Sequence, residues 1–269
     1  RWLKEELNQT TQELAALASK LALLQQNLTQ LETLYNECIN KPPEVVEKVV
    51  VVNPLNFSEW FKGMEWTNNY TFSSLSRECS TLGELSLPCV IYLIQRTGLV
   101  NYITLSPDPF LNVEQTLIQG RGDCEEFASL EWAFLKKYKE LYPDRRLEVM
   151  IPSKEPAAYY LLYNGGDEPV KVSGYQSHLM GEIGGYDYGV ACYNVNETMG
   201  HCGVVVSLKP LTKVSSFLGA KLIDAEKGIY LGTIGEDFYI CTEDKCGPNG
   251  IWVLMYNETL WVNGTYYTG

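Results

Sequence analysis

The 269 residues predict an α+β protein built on an antiparallel sheet and preceded by an N-terminal coiled-coil helix. Three observations lead there. Residues 1–38 carry an unbroken heptad pattern, helix-period segments continue to residue 141, and short strand-like runs punctuated by Gly and Asn fill the remainder. Helices first and a run of strands afterwards is the order of an α+β chain with antiparallel pairing.

The heptad segment comes first. Leu7, Leu14, Leu21, Leu28 and Tyr35 fall at a, and Leu3, Thr10, Leu17, Leu24, Leu31 and Cys38 fall at d. Each buried Leu is worth roughly 1.5–3 kcal/mol, so such a stripe must be covered. Leu23, Ala18 and Leu34 widen the apolar face beyond a two-stranded seam. The expectation is a parallel homo-oligomer through residues 1–38, a trimer favoured, with a stalk about 55 Å long at 1.5 Å per residue. Cys38 at d would face its symmetry mates and offers an interchain disulfide. The rival arrangement lays this helix on the chain's own globular domain.

Lys41-Pro42-Pro43 stops the helix, because Pro lacks an amide donor and biases its predecessor away from α. The division expected is a coiled-coil helix over 1–40, an extended linker over 41–60 and a globular domain over 61–269. Within that domain the pattern predicts helices near 86–98 and 124–141. Strands follow at Leu147–Ile151, Tyr159–Tyr163, Tyr186–Tyr193, His201–Leu208, Lys221–Ala225, Ile229–Thr233, Phe238–Cys241 and Ile251–Tyr256.

Charge and cysteine usage narrow the partners and the compartment. Lys+Arg 21 against Asp+Glu 33 leaves −12, which argues against a nucleic-acid partner. The longest apolar runs, Val49–Val52 and Cys89–Ile94, are far short of the ~20 residues that span a bilayer. The chain opens on Arg1 without an initiator Met or a signal-like segment, which predicts processing and puts any membrane anchor outside these residues. Seven sequons stand at Asn8, Asn27, Asn56, Asn69, Asn196, Asn257 and Asn263, where chance would supply about two or three. Eight Cys occur without a CxxC or a Cys/His pair at zinc spacing, which reads as disulfides and no metal. An extracellular or cell-surface glycoprotein is the expected setting.

The chemistry concentrates at Gly120-Arg121-Gly122-Asp123-Cys124-Glu125-Glu126-Phe127-Ala128. Asp123 is a good N-cap and Glu126 completes a capping box. Phe127, Leu130, Phe134, Tyr138 and Leu141 then recur at helical spacing. Cys124 falls in the first turn, where unpaired amides and the helix dipole favour thiolate. Adjacent Glu125 and Glu126 oppose that, so a base is needed. Only His178 and His201 are available. His178 lies in a polar stretch and reads as a surface residue. His201 opens the strand His201-Cys202-Gly203-Val204-Val205-Val206, and Lys221-Leu222-Ile223-Asp224 follows with one Asp among apolar residues. An Asp in a strand wants a partner, and His201 supplies one. Nucleophile, base and orienting acid are the parts of a thiol triad. Arg121-Gly122-Asp123 also spells an integrin-binding tripeptide, at a place the helix start already accounts for.

Gly120–Ala128, then Gly200-His201-Cys202-Gly203-Val204-Val205-Val206, then Leu222-Ile223-Asp224-Ala225 resemble the transglutaminase-like core over roughly residues 80–235. The resemblance implies a papain-like α+β fold, with Cys124 as nucleophile, His201 as base and Asp224 as orienting acid. It implies hydrolysis of a peptide or isopeptide bond, or acyl transfer, on a protein or peptide substrate and without a cofactor. Ala225 stands where members commonly carry Pro. A structural or adhesive surface module using the same fold is the alternative expectation.

Setting aside Cys124 and Cys38 leaves six cysteines and fifteen pairings. Closeness in sequence favours Cys79–Cys89, Cys192–Cys202 and Cys241–Cys246, short loops worth about 2–3 kcal/mol each in the chain-entropy account.

Overall fold

The structure, a computed structural model, describes residues 57–81, 83–104, 110–155, 159–162, 170–241 and 246–268. The predicted coiled coil, its oligomer, most of the linker and Asn8, Asn27 and Asn56 lie outside them. The described chain is mixed α+β with largely antiparallel sheets.

Five helices come early: α1 Phe57–Lys62, α2 Asn69–Cys79, α3 Leu87–Arg96, α4 Val113–Gln119 and α5 Cys124–Leu141. The last four residues of the expected linker are therefore helical, because Trp60 and Phe61 are buried and anchor that turn in the core. Asn68 caps α2 by accepting the Thr71 amide at 3.1 Å. α4 is capped by Asn112 and Gln115 in reciprocal bonds and ends at Gly120, whose φ of 63° suits a residue without Cβ. α5 has the span its apolar period predicts.

Strands β1 Ser80–Thr81, β2 Glu84–Ser86, β5 Arg146–Pro152 and β8 Tyr175–Glu182 form a four-stranded sheet in that spatial order. Two small pairs stand apart: β3 Asn101–Tyr102 with β4 Arg121–Gly122, and β6 Tyr159–Leu162 with β7 Val170–Ser173. The main sheet runs β12 (Tyr230–Thr233), β11 (Lys221–Asp224), β10 (Gly200–Ser207), β9 (Asp187–Asn194), β14 (Gly250–Tyr256), β15 (Thr259–Val262) and β16 (Thr265–Thr268), with β13 (Tyr239–Ile240) pairing β14 in parallel.

Helix α5 lies against β9 and β10. Phe127, Leu130, Phe134 and Tyr138 share one core with Val190, Cys192, Cys202, Val204 and Val206. The other face of the sheet carries a second core of Tyr193, Val205, Phe217, Leu222, Leu254 and Trp261. With both faces covered, β10 is buried at every residue from Cys202 to Ser207, so its sequence is a continuous apolar run. Buried Trp132 of α5 donates to the Tyr188 carbonyl of β9 at 2.9 Å, which fixes the helix along the strand.

Disulfides join Cys79 to Cys89 between α2 and α3, Cys192 to Cys202 across β9 and β10, and Cys241 to Cys246 after β13. Bonds of this kind belong to an oxidising compartment. Among the described residues no helix is long and apolar enough to cross a membrane. The sequons Asn69, Asn196, Asn257 and Asn263 are all exposed, the last two with positive φ in turns.

Candidate active site

The head of α5 is built around a glycine and a buried acid. A Cβ on Gly122 would stand 2.5 Å from the Glu126 Cβ, so only glycine lets the chain turn this tightly into the helix. Glu126 accepts the Asp123 amide at 3.0 Å through Oε2 and the Leu111 amide at 2.7 Å through Oε1, strapping the loop before α4 to the start of α5. Burial pushes its carboxyl up to about 8 against those two donors. Asp123 is only 6% exposed, which removes Arg121-Gly122-Asp123 from consideration as a surface ligand.

Cys124 follows, half-buried, and it is the free cysteine of the described residues. Its thiol donates to Glu125 Oε2 at 3.0 Å rather than to His201. The Cys202 amide, next in the chain after His201, donates toward the same sulfur. Burial, then Glu125 and Asp123, push the thiol well above the ordinary cysteine range, with the Cys202 amide acting against them. Replacing Glu125 by Gln removes one of these charges. Labelling of Glu125→Gln by iodoacetamide near neutral pH is expected to run about three- to tenfold faster than wild type. An unchanged rate would show that Glu125 does not restrain the thiol.

His201 sits near the start of β10. Register places Asp224 opposite Gly203, so His201, two residues along, is its diagonal neighbour on the same face. Gly203 leaves that path clear, since a Cβ there would stand 2.3 Å from the Ile223 carbonyl oxygen. His201 Nε2 lies 3.3 Å from Asp224 Oδ2, with the two side chains 16% and 8% exposed. Asp224 Oδ1 accepts the Glu226 amide at 2.8 Å, which fixes the carboxylate and closes the turn after β11. Tyr193, the cross-strand partner, meets the imidazole edge-on at 5.8 Å.

Burial pulls the imidazole down, but Asp224 and then Glu226 outweigh it and hold His201 above its ordinary value. Burial likewise pushes Asp224 up, and His201 outweighs it and holds the carboxyl below the usual carboxylate range.

The structure thus brings His201 and Asp224 together and sets the Cys124 sulfur beside the His201–Cys202 peptide. A direct Cys124–His201 hydrogen bond, which a triad requires, is not formed. Each partner is instead occupied by a glutamate: the thiol by Glu125, and His201 Nδ1 by Glu226 Oε1 at 3.5 Å. No family model, curated protein or solved structure matches the chain.

Sequence reasoning missed two neighbours of this cluster. Glu226 lies two residues past Asp224, and that spacing is the signal for a second carboxylate. Tyr102 hydrogen-bonds Glu226 and packs on Phe127 at 5.6 Å. It arrives there because β3 pairs with β4 just before Cys124, and nothing local in the sequence signals that. Asp123, Glu125 and Glu126 also place carboxylate oxygens within 4.8 Å of one another. Glu126 is already committed to two amides, so the trio has reduced capacity for a cation. His178 is exposed on β8 and makes no contact with Cys124 or His201 among those described.

Proposed function

We propose that the globular domain is a transglutaminase-like thiol enzyme that hydrolyses or transfers peptide or isopeptide acyl groups. Cys124 is its nucleophile, His201 its base and Asp224 the acid that orients the base. The observation that carries the reading is the His201–Asp224 contact at 3.3 Å, with Cys124, the free thiol of the described residues, at the head of α5 next to Cys202, the residue after His201. In the reaction the thiol leaves Glu125 and the imidazole leaves Glu226, so that Nδ1 takes the sulfur's proton while Nε2 stays on Asp224. Catalytic hydrogen bonds are commonly loose before substrate arrives. The thiolate then attacks the acyl carbon, and the Cys202 amide is a donor available to the oxyanion. Water or an amine releases the acyl group.

The wider setting belongs to the same proposal: an extracellular or cell-surface glycoprotein, carried as a parallel homo-oligomer on residues 1–38. The test of the chemistry is incubation with p-nitrophenyl acetate and mapping of the adduct. A burst of p-nitrophenolate with acetyl on Cys124 is expected, and its absence from about pH 6 to 9 would overturn the reading. A non-catalytic structural module is the second reading. It is favoured by one observation, that glutamates occupy both the thiol and His201 Nδ1.

A further inference from the structure

The Cys192–Cys202 disulfide is buried, its two residues 0% and 2% exposed. External reductants therefore have no direct path to it. Yet the Cys124 sulfur and the Cys202 sulfur lie within 4.8 Å of each other, and Cys124 is half-buried and free. A free thiol and a disulfide stand in one group, with the thiol held protonated by Glu125 Oε2 at 3.0 Å. Those are the parts of thiol–disulfide exchange.

We infer that Cys124, Cys202 and Cys192 form a three-sulfur relay in which Cys124 exchanges with the buried disulfide. Cys124 leaves Glu125 and loses its proton to solvent, and the thiolate attacks the Cys202 sulfur. The Cys124–Cys202 bond forms and the Cys202–Cys192 bond breaks. The electron pair leaves on Cys192, which takes up the proton. The step is redox-neutral and needs no co-reactant. The disulfide has then moved to the half-buried cysteine, where a small dithiol can attack the Cys124 sulfur, release Cys202 and itself become oxidised. The geometry of the sulfurs carries this exchange without reference to any acyl chemistry. Its consequence rests on the function proposed above: in the exchanged form the nucleophile is capped, and a dithiol restores it.

The test compares reduction of the folded protein by dithiothreitol in wild type and Cys124→Ser, with acid quenching and non-reducing peptide maps. Opening of Cys192–Cys202 is expected to be at least about tenfold slower in Cys124→Ser. Cys79–Cys89 should open at the same rate in both, which separates the relay from a general loosening of the fold. Equal rates for Cys192–Cys202 would overturn the relay. A second variant, Cys192→Ala, leaves Cys202 as a thiol beside Cys124. Diamide treatment is expected to link the two, and a map with both still free would also overturn the proposal. Acetylation of Cys124 by p-nitrophenyl acetate, measured on the same wild-type sample, reports separately on the acyl reading. Adduct with equal reduction rates removes the relay alone. A tenfold rate difference without adduct supports the relay and removes the acyl reading.

Discussion

Replacement of His201 by Ala is expected to slow acetylation of Cys124 by about 10²- to 10⁴-fold, the range that a positioned general base contributes. The imidazole is the proposed base, and Asp224 Oδ2 lies 3.3 Å from its Nε2. Only the unprotonated ring can accept the thiol proton. Because Asp224 and Glu226 hold His201 above its ordinary value, the rate should climb with pH through a limb lying above about 6.5. Glu226→Gln removes one of the two carboxylates and should move that limb to lower pH. Asp224→Asn should do so as well, with loss of rate because the ring is no longer oriented. Burst kinetics of each variant across the neutral range provide the measurement. A rate in His201→Ala within a few-fold of wild type would remove His201 from the chemistry. Added imidazole restoring part of the rate would mark the loss as chemical, since a collapsed site would not respond.

The second large effect concerns Glu131, a carboxyl with no solvent exposure and both oxygens unpartnered on the sheet-facing side of α5. Burial, followed by the charges of Asp224 and Glu226, pushes it well above the ordinary carboxylate value. The folded chain then keeps a proton that the unfolded chain gives up near about pH 4.3. Above that pH the native state binds more protons than the unfolded state, so stability falls as pH rises. The slope approaches about 1.4 kcal/mol per pH unit until the buried carboxyl itself ionises. Glu131→Gln removes the titration, and its denaturation free energy should be flatter than wild type by that amount from about pH 5 upward. Urea unfolding at a series of pH values gives the comparison. Parallel curves would mean that the wild-type carboxyl is ionised in the folded as well as the unfolded state, and would overturn the prediction. Glu131→Leu, which also removes the unpartnered oxygens, should be more stable than wild type near pH 7 by about 1–4 kcal/mol.

The His201–Asp224 pair has the opposite dependence on its acid side. Asp224 is held low, so its contribution is present above about pH 3.9 and is lost as pH falls through its folded value. His201 is held high, so its contribution is complete below about pH 6.5 and is lost as pH rises through its folded value. Between those limits the pair is fully formed.

Periodicity alone specified much of the architecture. The spacing of Phe127, Leu130, Phe134 and Tyr138 defined α5, since a buried helical stripe has few other solutions. Gly-Asn punctuation and β-branched runs located β9, β10, β11, β12 and β14 to within a residue or two, because turn chemistry is local. The last hairpin is legible in Asn263-Gly264, which adopts φ of 43° and 95°, the conformation this dipeptide favours between paired strands. β8 was not legible. Its exposed Gln176, Ser177 and His178 show no apolar alternation, and pairing with β5 holds it in place.

The three short-loop disulfides illustrate the boundary. Spacing made Cys79–Cys89, Cys192–Cys202 and Cys241–Cys246 the economical choice among fifteen pairings, and the structure contains those bonds. That Cys192 and Cys202 are direct cross-strand partners follows from the β9–β10 register, a long-range property no local signal reports. The residue types at the site were readable for the same reason α5 was: a cap, a first turn and two strands. Their environment was not. Glu226 on the imidazole, Glu125 on the thiol, Tyr102 on Glu226 and the Cys202 sulfur beside Cys124 depend on how the head of α5 lies against the start of β10. Helix and strand formation answer to neighbours a few residues away, whereas side-chain pairing and protonation answer to whatever packing brings within about 4–6 Å.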